Sequence, residues 1–96
     1  MVLELSTRSQ FPDQIVKEIV KTALRNEAEM ARFRYEQFTK ECQVFEQKFG
    51  IGTDDFLTKF EAGELGDSEE YLDWFASAQG RRVWRQKAEV LGEVTV

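Results

Sequence analysis

Leu24, Ala28, Ala31, Tyr35, Phe38, Cys42, Phe45 and Phe49 recur at alternating steps of four and three residues. Steps of that size return to one face of an α-helix, and here they persist for more than three heptads. No Gly or Pro interrupts the run from Asp13 to Phe49. The spacing predicts a long amphipathic helix over residues 11–49 that must bury a seam rich in aromatics. Unbroken, it would be about 55 Å long at about 1.5 Å per residue. A compact domain of this size is only about 26 Å across. The helix therefore either breaks, with Asn26 the first place to look, or pairs with another chain.

Ile15, Val16, Ile19, Val20, Ala23 and Leu24 form a broad aliphatic face in the first third of the helix. Broad faces belong to bundles and narrow seams to two-stranded coils. We expect an all-α bundle completed by homodimerisation, with the Leu24-to-Phe49 seam as its core or dimer surface. Gly50 is placed to stop the helix. Thr53 can cap a short helix over 53–62, with Asp54 and Asp55 in its first turn and Phe56 and Phe60 on one face. Asp67 or Ser68 opens a third helix over 67–91, with Glu69 and Glu70 in its first turn and Gly92 as its stop. Gly80 falls inside that helix at a cost of about 1 kcal/mol against Ala. Close approach of another backbone, or a kink, would account for it. Val2 to Leu5 can form a short strand ahead of the helices. The 96 residues make one domain.

Charge divides the chain. Residues 1–50 hold eight acids and eight bases, whereas Asp54 to Asp73 hold eight acids against Lys59 alone. Arg81, Arg82, Arg85 and Lys87 follow as a basic group. The net charge of −5 makes a poor general nucleic-acid binder, which needs a clustered positive surface. An acidic segment beside a basic one suits charge-complementary protein contact. The single Cys42 allows no internal disulfide and sits in the seam, where a small packed hydrophobe belongs. A reducing cytoplasm fits that usage. The N-terminus has no signal-peptide apolar region, and no run approaches the roughly 20 apolar residues of a membrane span.

The residue types of common catalysis are scarce. There is no histidine, and one cysteine cannot build a thiolate zinc site. Gly50-Ile51-Gly52 lacks the later Gly and the Lys of a phosphate loop. We expect no metal, no cofactor and no catalysis. Two acid pairs, Glu61 with Glu64 and Glu70 with Asp73, have the spacing with which helical nucleotide pyrophosphohydrolases hold Mg²⁺. Gly63 and Gly66 interrupt the first pair, and its doubled acid is missing. A strand followed by a helix also suits half of a ribbon-helix-helix DNA binder, with Val2, Glu4 and Ser6, or the complementary set, outward. Glu4 would meet phosphates badly there.

The third helix has the best interaction surface. Tyr71, Leu72, Trp74, Phe75, Val83, Trp84, Ala88 and Leu91 cannot share one narrow face. Trp, Tyr and Arg dominate binding hot spots. The other reading is that these aromatics close the core over the long helix.

From Phe45 to Leu91 the chain joins an aromatic-Gly helix end, a short acidic helix with Phe56 and Phe60, the run Gly63-Glu64-Leu65-Gly66-Asp67, and then Tyr71 and Trp74. This half of the chain resembles small helical antitoxin-like proteins of prokaryotic toxin–antitoxin pairs. The resemblance implies a protein that binds and silences a partner toxin. It makes Tyr71, Trp74, Phe75, Arg81 and Trp84 the toxin-facing candidates. It also implies a dimerising N-terminal part, although residues 1–50 contain no clear DNA-binding element.

Overall fold

The computed structural model describes residues 11–94, which form three helices: α1 (Asp13–Phe49), α2 (Thr53–Glu61) and α3 (Glu69–Glu93). Pro12 is extended, with ψ 139°, and its carbonyl accepts from the N–H groups of Ile15 (3.0 Å) and Val16 (3.3 Å). The long helix thus starts at Asp13, two residues later than 11. It passes through Asn26 unbroken and ends at Gly50, whose φ of 72° is the left-handed conformation that suits glycine. The Gly50 N–H donates to the Glu46 carbonyl at 2.8 Å. The expected Val2–Leu5 strand, and with it the outward set Val2, Glu4 and Ser6, lies outside the described residues.

α1 does not break, and the molecule is accordingly long, 60 × 21 × 19 Å. α3 returns antiparallel along it. The Ser77 hydroxyl donates to Glu41 at 2.9 Å, Gly80 sits against Phe38, and Leu91 lines one hollow with Glu27 and Ala31. Each step forward on α3 is therefore a step back on α1, and the same register sets Glu93 level with Arg25. Asp13 to Leu24 projects past the end of α3, by about 18 Å at helical rise.

All eight seam residues from Leu24 to Phe49 are buried or half-buried, with Ala31 and Cys42 fully enclosed. From Ala28 to Phe49 they lie along α3 of the same chain, while Leu24 sits just past its end. α2 braces the pair near Gly50, where the three helices meet. Phe56, Trp74, Cys42 and Ala78 are buried there, surrounded by Phe45, Phe49, Ile51, Leu57, Phe60, Leu65, Tyr71 and Phe75.

Three local expectations change. Gly52, not Thr53, caps α2, and Thr53 is its first helical residue. Ser68 caps α3 by accepting from the Tyr71 N–H at 3.3 Å, and the helix continues through Gly92 to Glu93. α3 runs through Gly80, and the group pressed on Gly80 is the Phe38 ring rather than a backbone. A Cβ at Gly80 would meet three Phe38 ring carbons at 2.7–2.8 Å. Gly80→Ala should gain about 1 kcal/mol of helix propensity but lose about 1–3 kcal/mol to overpacking. In a Phe38→Ala background the same change should become stabilising, which paired urea titrations would reveal as a change of sign.

Candidate protein-binding face

The five α3 residues expected to face a partner separate into three environments. Trp74 is 0% exposed, so it belongs to the core and cannot touch a partner in this fold. Its ring lies flat on Phe56, with centroids 3.9 Å apart and 6° between planes, and stacks more loosely on Phe45 and Phe49. Tyr71 and Phe75 are half-buried against the same cluster, Tyr71 with Phe49 and Phe56 and Phe75 with Phe60. Arg81 lies on the α2 side, 4.0 Å from Asp54. Trp84 is half-buried between α1 and α3, with the Lys87 ammonium 4.4 Å from its ring centroid.

Trp74 is fixed by a polar chain that sequence spacing did not disclose. Its indole N–H donates to Thr53 Oγ1 at 3.1 Å. The Thr53 hydroxyl and backbone N–H donate to Glu46 Oε2 at 2.9 and 2.8 Å. One carboxylate at the end of α1 therefore holds the start of α2, which holds α3. Cys42 adjoins this chain. Burial pushes its thiol above the ordinary value, outweighing the opposing pull of Arg81 and of the Thr53 hydroxyl. The thiolate is the reactive form, so Cys42 should resist an aromatic disulfide reagent at neutral pH and react at the rate of unfolding. Rapid modification in the native protein would contradict its burial.

The two sides of the α1–α3 pair differ. The side that carries α2 is polar, a groove of about 410 Å³ where Arg81, Arg82 and Arg85 alternate with Asp54, Glu61 and Glu89. Away from α2, two apolar hollows follow one another along the helices. The first, about 510 Å³, is lined by Phe38, Val44, Phe45 and Ala76. The second, about 440 Å³, is lined by Ala31, Val83, Trp84, Val90 and Leu91. Ala76, Val83 and Val90 recur every seven residues and so share one face of α3. Val44, Val83 and Val90 are each about half exposed or more. Glu41 and Asp73 border the first hollow, and Glu27 and Lys87 the second, so acids prevail at the rim.

The four acids with metal-like spacing do not converge. Glu61 is the last residue of α2, Glu64 lies in the following turn, and Glu70 pairs with Lys48 at 2.6 Å. Among the described residues no group of three or more His, Cys, Asp or Glu is placed to hold a metal ion, and no helix is long and apolar enough to cross a membrane. No protein-family model, curated protein or solved structure matches the chain.

Proposed function

We propose that the chain is a protein-binding module, that the two hollows along the α1–α3 pair form its docking face, and that its partner is a toxin which it neutralises. The carrying observation is the open line of aliphatic side chains, Val44, Ala76, Val83 and Val90, bordered by the acids Glu27, Glu41 and Asp73. An amphipathic helix with basic flanks fits that relief, laying apolar side chains in the hollows and charges against Glu27, Glu41 and Asp73. The toxin as partner is supported by the resemblance of residues 45–91 to antitoxin-like proteins.

The test is co-expression of the tagged chain with the product of the gene adjacent to its own. The expected result is a stable complex, with growth arrest only when the neighbour is expressed alone. Val83→Glu with Val90→Glu should then weaken the complex by tenfold or more, at about 1.4 kcal/mol per tenfold. Trp84→Ala should weaken it too, whereas Arg82→Glu, on the α2 side, should leave it intact. A complex indifferent to the double valine change would remove the docking assignment. Absence of both association and toxicity would remove the antitoxin reading.

A further inference from the structure

α1 carries a second apolar stripe on its outer side. Ile15, Ile19, Met30 and Phe33 are exposed, Ile19 at 64% and Phe33 at 61%. Phe33 lies two residues from both Ala31 and Tyr35, and Asn26 two residues from both Leu24 and Ala28. Two residues are about 200° of rotation, which sets this stripe opposite the seam that α3 fills. The stripe is arranged evenly about Asn26. Four residues either way are Thr22 and Met30; seven either way are Ile19 and Phe33; eleven either way are Ile15 and Gln37. All are same-face spacings.

We propose that two copies of the chain associate through this stripe, their α1 helices antiparallel and centred on Asn26. A two-fold axis there sets Ile19 of each copy on Phe33 of the other, Thr22 on Met30, and the two Asn26 amides on one another, where each can donate and accept. A single Asn in an apolar helix seam fixes register at some cost in stability, because any shifted pairing leaves it unsatisfied. Charge favours a second copy over a strongly charged stranger. α1 holds seven acids and seven bases, so two such helices meet without net repulsion. The pairing also lays each projecting Asp13–Leu24 segment beside residues 28–39 of the other copy. The contact strip is about 33 Å long and about 10 Å wide, small for a stable interface, so the dimer should depend on concentration. This contact is separate from the docking hollows, and either assignment can fail without the other.

Sedimentation equilibrium of the full chain, from micromolar to near-millimolar protein, should show the mass rising from 11.2 kDa toward twice that value. Ile19→Lys alone and Phe33→Glu alone should each remain monomeric with unchanged helical circular dichroism, since both sites are exposed. Mixing the two variants should restore the dimer. Antiparallel pairing sets the introduced positive charge against the introduced negative one and keeps one Ile19–Phe33 contact; parallel pairing would set position 19 against itself. A constant monomer mass for the unaltered chain, or variants that associate as it does, would overturn the proposal. A mixture that stays monomeric would overturn the antiparallel arrangement.

Discussion

Trp74→Ala is expected to remove about 3–5 kcal/mol of stability, the range for deleting a large aromatic from a packed interior. The substitution empties the site between Phe56, Phe45 and Phe49 and leaves the Thr53 hydroxyl without its indole donor. A domain of this kind has only about 5–15 kcal/mol in total. The variant should therefore melt far below the parent, at roughly 4–8 °C per kcal/mol lost. Trp84→Ala, at a half-buried site, should cost markedly less. Calorimetry on the pair distinguishes their roles: similar melting temperatures would contradict the separation of Trp74 from Trp84. A loss of partner affinity in Trp74→Ala would report unfolding and not a lost contact.

Thr53→Val is expected to cost about 2–4 kcal/mol although it barely changes side-chain volume, because it strands the buried indole N–H and takes a donor from a charged acceptor. The Trp74 N–H loses its acceptor and Glu46 keeps only the backbone donor at 2.8 Å. The cost should be coupled to Trp74. In a Trp74→Phe background, where no indole N–H remains to strand, Thr53→Val should be milder by about 1 kcal/mol or more, within the range seen for contacting residues. Urea titrations of the four variants measure that coupling. Additive costs would mean that the hydroxyl does not bridge α2 to α3.

The period of the apolar residues disclosed most of the fold and little of its pairing. Steps of four and three named the inward face from Leu24 to Phe49, and every member is turned inward. Periodicity specifies which side of a helix is covered, not what covers it. The cover turned out to be α3, set in register by Phe38 against Gly80, a contact spanning 42 residues of sequence (80 − 38). Gly80 was visible as an anomaly, but a missing side chain does not identify the group that fills its space. Thr53 had the composition of a cap. Its real acceptor, Glu46, reaches it across the Gly50–Gly52 turn, and Trp74 arrives from 21 residues onward. The two apolar hollows had a faint signal in Ala76, Val83 and Val90, seven apart on one face of α3. Their depth comes from α1 residues such as Val44, and only the paired helices bring those together.

Asp13 to Leu24 has no α3 beside it, and a free helix of that length is marginal in water. It holds its shape as the continuation of a rod whose other end is cemented around Trp74. Amide hydrogen exchange should accordingly be graded along α1, slowest near Cys42 and fastest toward Asp13, as local opening replaces global unfolding. Whatever settles on the tip need not change the molecule's shape to be felt. It would register as slowed exchange over a dozen residues, so the projecting end behaves as a gauge of occupancy set at a distance from the part that carries the stability.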